Sequence, residues 1–150
     1  MEELKAFMKE VFCKAILFLI ISVSAFSGQY KDVLVNRMSD LRRSVFATLN
    51  EGDDFEQKEA FRKMEKEWDK ELNIVYQKIM KIANPVTRNK LRNAQRAWIK
   101  YRDSEIENSY YINNPDGGSM GVLFSLYTAA KLTEERTVYL AEIYDALISN

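Results

Sequence analysis

Seven apolar residues in the middle of the chain recur at intervals of three and four positions, and this spacing constrains the fold more than any other feature. They are Phe61, Met64, Trp68, Leu72, Val75, Ile79 and Ile82. Because an α-helix turns once every 3.6 residues, the spacing places all seven on one face. The sequence therefore predicts a helix from about residue 55 to residue 83, with this face packed against other helices.

Turn and cap signals set the limits of this helix. A polar segment at 50–54 precedes it, and either Asp53 or Asp54 is placed to cap its first turn. The sequence Asn84-Pro85 ends it, because proline disfavours helical geometry in the residue before it.

Related patterns predict three more helices. The first covers residues 30–49, and the third runs from Thr87, as N-cap, to about residue 110 or 111. The fourth runs from Ser119, as N-cap, to about residue 148, with a kink or break near Leu132-Thr133 where its apolar pattern changes phase. The stripe of the first helix consists of Leu34, Met38, Leu41, Val45 and Leu49.

Only five glycines and two prolines occur in 150 residues, and no segment alternates with the period of a strand. The predicted fold is all-α: a small helical bundle or long helical hairpin of about four helices in one domain, after an N-terminal signal helix.

The N-terminus has the layout of a secretory signal peptide. An uncharged apolar run at 15–26 follows Lys9 and Lys14, and Ala25-Phe26-Ser27 supplies small residues where a signal peptidase reads them. We expect a signal peptide at 1–27 and a mature domain at 28–150 that is periplasmic or secreted. The run is shorter than the about 20 apolar residues of a membrane span, so no stable span is expected after cleavage.

Three glutamates dilute the positive charge of this leader, which leaves translation from Met8 as a second possibility. An uncleaved anchor and an amphipathic helix packed on the domain are further alternatives. The single cysteine, Cys13, precedes the apolar run, so it is not placed as the lipidated residue of a lipoprotein.

Composition excludes several kinds of chemistry. The chain has no histidine, which removes the commonest general base and metal ligand, and one cysteine allows no disulfide within the chain. We therefore expect no catalytic residues, no metal and no cofactor. Equal numbers of basic and acidic residues, 22 of each, argue against nucleic acid as a partner. A protein partner is the remaining expectation.

One face of the third helix is unusual because its tryptophan lies among polar residues. It consists of Leu91, Gln95, Trp98, Arg102 and Glu105. A guanidinium on an inner face needs either a carboxylate or helix-end carbonyls as partner, and Asp69, Glu71 and Glu135 are the candidate carboxylates for Arg102. The face is either a polar network that fixes helix register or a binding surface built on Trp98, Tyr101 and Arg102.

Four short segments carry a family resemblance: 69–76, 91–103, 117–119 and 132–136. With them, residues 61–147 resemble the LprI-like family of secreted bacterial proteins, the DUF1311 group, whose namesake is a lysozyme inhibitor. Cysteines that members usually carry correspond to Ile106 and Thr128 here. The resemblance implies a binding or structural polar network. Its residues are Asn73, Tyr76, Gln95, Trp98, Tyr101, Arg102, Asp103, Thr133 and Arg136.

Two functions remain open. The resemblance implies an exported inhibitor of lysozyme or a related cell-wall hydrolase, which would present a loop to a basic enzyme cleft. The candidate partner loop consists of Asp116, Gly117, Gly118 and Ser119. The alternative is a structural or adaptor protein of the periplasm that binds another helical protein through the stripe of its first helix.

Overall fold

The computed structural model describes residues 30–114 and 118–149 and contains four helices, α1 (Tyr30–Glu51), α2 (Asp54–Ile82), α3 (Pro85–Ile112) and α4 (Ser119–Ile148). No strand occurs in these two ranges, and the prediction of an all-α fold with four helices is confirmed. The predicted signal peptide, together with Asp116 and Gly117 of the predicted loop, lies outside the described residues.

Helix α4 is the centre of the bundle. It packs most extensively against α2 and also contacts α3 and α1, whereas α2 and α3, consecutive in the chain, have almost no close backbone contact. The Phe61 and Tyr127 rings meet edge to face at 5.5 Å, and the Thr137 hydroxyl donates to the Trp68 carbonyl oxygen at 3.3 Å. From the first pair to the second, the residue number increases in both helices, so α2 and α4 run parallel.

The periodic face of α2 forms most of the core. Six of its seven predicted residues are buried, and only Ile82, in the last turn, is 49% exposed. From α4 come Ala130, Thr133, Thr137, Leu140 and Ala141, all fully buried. From α1, Leu34, Met38 and Val45 are buried against the same core. None of the four helices is long and apolar enough to cross a membrane.

Two of the predicted helix caps are wrong by a few residues. Helix α3 is capped by Asn84, whose Oδ1 accepts from the backbone N–H of Thr87 at 2.9 Å, because Pro85 is well suited to the first helical position. Helix α4 is preceded by Gly118, whose N–H donates to Asn114 Oδ1, and Ser119 is the first residue of the helix.

The predicted break at Leu132-Thr133 is also wrong, because α4 is one uninterrupted helix. Its apolar pattern changes phase because α4 packs against three helices and turns different faces towards them. Thr133 is fully buried, and the Thr137 hydroxyl donates to its carbonyl oxygen at 2.6 Å. Glu134, part of the segment that resembles a helix start, forms an ion pair with Arg42 of α1.

Helix α1 is capped by a residue from the far end of the chain. The backbone N–H groups of Tyr30 and Lys31 donate to the two carboxylate oxygens of Asp145, each at 3.0 Å. A carboxylate at a helix N-terminus satisfies open donors and complements the helix dipole. The contact joins the start of α1 to the last turns of α4, and no local sequence pattern predicts it.

Asp53 forms a capping box at the start of α2, and its replacement by alanine should lower the free energy of unfolding by about 1 kcal/mol. Its carboxylate accepts from the Glu56 N–H at 2.9 Å, and the Glu56 carboxylate accepts from the Asp53 N–H at 3.0 Å. Urea denaturation followed by circular dichroism measures the loss. Asp40→Ala is the matched control, since Asp40 pairs only with exposed Arg43. This variant should lower the free energy of unfolding by less than about 0.5 kcal/mol. Equal losses in the two variants would contradict the capping box.

Candidate functional site

A groove of about 340 Å³ opens between α2 and α3, where these two helices diverge. We call it the α2–α3 groove. Its walls carry polar and aromatic side chains from both helices. The lining residues are Asp69, Leu72, Asn73 and Tyr76 of α2 and Arg92, Gln95, Trp98, Ile99 and Arg102 of α3.

The mixed face of α3 points into the bundle. Leu91 is buried, and Gln95, Trp98, Arg102 and Glu105 are half-buried. Because α3 rests on α4 and leaves α2 at a distance, this face is only partly enclosed. Polar side chains are tolerated there because each keeps access to water or to a partner.

Trp98 lies between arginines from two helices. The guanidinium carbon of Arg102 is 5.2 Å from the Trp98 ring centre, and that of Arg136, from α4, is 5.8 Å away. The Arg136 Nε–H donates to Gln95 Oε1 at 3.0 Å. Cation–π contacts of this kind hold the indole in a fixed orientation. The structure thus brings Gln95, Trp98, Arg102 and Arg136 into one cluster.

The expected carboxylate partners of Arg102 are wrong. Arg102 pairs with its own neighbour Asp103, through Nε at 3.0 Å and Nη2 at 2.8 Å to the same oxygen. Glu71 pairs with Arg37 instead, and Glu135 with Lys131. The guanidinium needs no carboxylate from another helix because it is 22% exposed at the groove and is also covered by Trp98.

Glu65 of α2 lies close enough to Arg102 of α3 for their charges to interact. Burial raises the pKa of Glu65, and the nearby negative charge of Asp69 raises it further, while Arg102 opposes both effects.

Arg136 is the least compensated charge of the cluster. Among the residues that the structure describes it has no ion-pair partner, and its buried Nη2 has no hydrogen-bond acceptor. Burial lowers the pKa of this guanidinium, although the nearby Tyr139 acts in the opposite direction. A half-buried, unpaired guanidinium gives this part of the bundle a positive potential.

The remaining network residues have different surroundings. Asn73 donates its side-chain amide to the carbonyl and carboxylate oxygens of Asp69, at 2.8 and 3.1 Å, and Tyr76 lines the groove beside it. Tyr101 is 53% exposed and does not line the groove, whereas Thr133 is fully buried in the core. Sequence reasoning missed Arg92 and Ile99 as lining residues, although both lie one helical turn or less from Gln95.

No group of three or more acidic, histidine or cysteine side chains in residues 30–114 and 118–149 could hold a metal ion. Thr128, one of the positions where relatives usually carry cysteine, donates its hydroxyl to Ser109 Oγ at 2.9 Å. A hydrogen bond therefore links α3 to α4 near this point.

A second candidate surface lies where α1 and α3 end and α2 and α4 begin. Its large side chains are strongly exposed: Phe55 by 70%, Tyr111 and Ile112 by 66% each, and Met120 by 51%. Together with the exposed Gly118 and Ser119, they form what we call the loop-end surface. A hydrogen bond from Lys58 lowers the pKa of the Asp54 carboxyl, and Ser119 at the start of α4 acts in the same direction.

Phe55 also borders a hollow of about 660 Å³ between the end of α1 and the start of α2. Five acidic side chains lie in this part of the sequence, together with the basic residues Lys58, Arg62 and Lys63. The acidic residues are Glu51, Asp53, Asp54, Glu56 and Glu59.

Comparison with known proteins gives one family. A family model described as "Lysozyme inhibitor LprI" matches residues 47–140, which is more than half of the chain. The matched segment starts in the last turn of α1 and extends well into α4, so it includes both the α2–α3 groove and the loop-end surface. No curated protein and no solved structure matches the chain.

Proposed function

Because this chain belongs to the lysozyme inhibitor LprI family, we propose that it is an exported, non-enzymatic protein that binds lysozyme or a related cell-wall hydrolase and inhibits it. The family match over residues 47–140 is the observation that carries the proposal. The charged, apolar and small-residue segments of the N-terminus support export, with cleavage after Ser27. Mass analysis of the exported protein tests that part.

We assign the contact with the hydrolase to the loop-end surface and to the adjoining loop at 116–119. Aromatic residues and methionine are enriched in protein interfaces, and Phe55, Tyr111 and Met120 are strongly exposed here. The acidic side chains around Phe55 would complement a basic enzyme cleft and would speed association with it.

The adaptor hypothesis has less support. Its docking element was the apolar stripe of α1, but Leu34, Met38 and Val45 are buried in the chain's own core. The other two stripe residues, Leu41 and Leu49, also pack against that core. A partner helix could reach this stripe only if α1 left the bundle.

A muramidase assay tests inhibition directly. We expect the purified protein to slow cell-wall lysis in proportion to its concentration, and we expect the double variant Tyr111→Ser with Ile112→Ser to weaken inhibition at least tenfold. Truncation of central interface residues commonly has effects of about this size. Lysis that stays unchanged at a high molar excess of the wild-type protein would rule the function out.

Val86→Ser is the matched control for the surface assignment. Val86 is 69% exposed, much like Ile112 at 66%, but it lies in the first turn of α3 at the opposite end of the bundle. Its replacement should leave inhibition within twofold of the wild type. If Val86→Ser weakened inhibition as much as the double variant, the loop-end surface would not be the contact.

A further inference from the structure

We propose that the α2–α3 groove is a second binding site, which takes the carboxyl-terminal end of a peptide chain. The site is separate from the loop-end surface and does not depend on hydrolase inhibition. Arg102 and Gln95 on one wall receive the carboxylate, and Asp69 on the other wall accepts an N–H of the same ligand.

Hydrogen-bond donors dominate the α3 wall. Because Gln95 Oε1 already accepts from Arg136, its amide nitrogen is left as a donor for a ligand. Arg102 uses Nε and Nη2 on Asp103 and retains Nη1, while Arg92 uses Nη1 on the neutral side chain of Asn89. A wall of guanidinium and amide donors matches the two oxygens of a carboxylate.

The positive charge of Arg136, which lies behind this wall, also favours an anionic ligand. Arg136 contacts Gln95 and Trp98 from α4, and it has no carboxylate partner among the described residues. Its positive potential is screened less than that of an exposed arginine because it is half-buried. An anion in the groove would compensate this charge without displacing any ion pair, since Arg136 has none.

The α2 wall supplies the complementary group. Asp69 Oδ2 accepts from Asn73 at 3.1 Å, which holds the carboxylate in place and leaves Oδ1 for a ligand donor. Leu72 and Ile99 add apolar surface between the two polar walls. An amide N–H next to a carboxylate, with a short aliphatic side chain, is the chemistry of a peptide carboxyl terminus.

The size of the groove limits what can bind. Small-molecule sites commonly enclose about 300–1,000 Å³, and about 340 Å³ lies at the lower end of that range. One or two residues of an extended peptide fit such a space, whereas a folded domain does not.

NMR titration with N-acetyl-Ala-Ala tests the site, with the same peptide as its C-terminal amide for comparison. We expect the free acid to shift the indole N–H signal of Trp98 in a saturable way and the amide to bind at least tenfold more weakly. The indole signal of Trp68 serves as an internal comparison and should shift less, because this side chain is 1% exposed and does not itself line the groove.

Arg102→Gln should weaken binding of the free acid at least tenfold. Arg96→Gln is the matched control, since Arg96 is an exposed arginine of the same helix outside the groove, and it should change the affinity less than twofold. Gln95→Glu is a second variant that keeps a partner for Arg136 and should abolish binding of the acid by charge repulsion.

Three results would overturn the proposal: equal affinity for acid and amide, no saturable shift of Trp98, or equal losses in Arg102→Gln and Arg96→Gln. Circular dichroism of each variant confirms that the helices are retained. No hydrolase enters these measurements, so their outcome is independent of the proposed inhibition.

Discussion

Replacing Trp68 by alanine should lower the free energy of unfolding by about 3–5 kcal/mol, the range for removing a large buried aromatic side chain. Trp68 is 1% exposed and lies at the middle of the buried face of α2. Thr137 of α4 donates to its carbonyl oxygen, so the position where the two central helices meet would lose its largest side chain. A domain of this size has a total stability of about 5–15 kcal/mol, so the variant should be partly unfolded under mild conditions.

Urea denaturation followed by circular dichroism at 222 nm measures this loss. Trp98→Ala is the natural comparison, because it removes the only other tryptophan, which is half-buried at the groove. We expect Trp98→Ala to lower the free energy of unfolding by about 1–2 kcal/mol, because Trp98 buries less apolar surface on folding than Trp68 does. A larger loss for Trp98→Ala than for Trp68→Ala would show that α3, not the pair of α2 and α4, holds the core together.

Gly121→Ala should destabilise the domain by about 1–2 kcal/mol, even though alanine is the better helix former. A Cβ at this position would lie 2.5 Å from the Cβ of Asn114 and 2.8 Å from the carbonyl oxygen of Tyr110. The backbone oxygen cannot move without disturbing the last turn of α3, so overpacking of about 1–3 kcal/mol exceeds the gain of about 1 kcal/mol in helix propensity. Inhibition of a hydrolase should weaken as well, because this contact joins the end of α3 to the start of α4 beside the loop-end surface.

Gly118→Ala separates the steric effect from the mere loss of a glycine. A Cβ at Gly118 would come no closer than 3.9 Å to another group, and the extended backbone there suits any residue. Thermal or urea denaturation should show a change below about 1 kcal/mol, chiefly because alanine is a poorer N-cap than glycine. Similar losses in the two variants would mean that the close approach of α3 and α4 is not what Gly121 provides.

Sequence periodicity predicted those parts of the fold that depend on one helix at a time. The buried face of α2 follows from local spacing, and composition restricted its cap to Asp53 or Asp54, of which the structure has Asp53. The break in α4 was wrong because a change of phase has two causes, a helix end or a change of neighbours, and only tertiary packing separates them.

Part of the groove lining could be predicted from the sequence, but its arrangement could not. Spacing placed Gln95, Trp98 and Arg102 on one face of α3, and the structure has them on one wall of the groove. The groove itself arises because α3 rests on α4 rather than on α2, which no single-helix pattern encodes. For the same reason the partner of Arg102 was misassigned: its neighbour Asp103 was closer than any carboxylate on a facing helix.

The hydrogen bonds between Asp145 and the start of α1 also limit when the domain can finish folding. The two ends of this contact are separated by 115 residues, so the start of α1 lacks this cap until Asp145 has been synthesised. Contacts of such long sequence separation form late, after the loop between them has closed. The bundle therefore cannot be completed before Asp145 has left the ribosome. Under the export that we propose, this order of events would give the chain time to pass through a translocation channel before it folds.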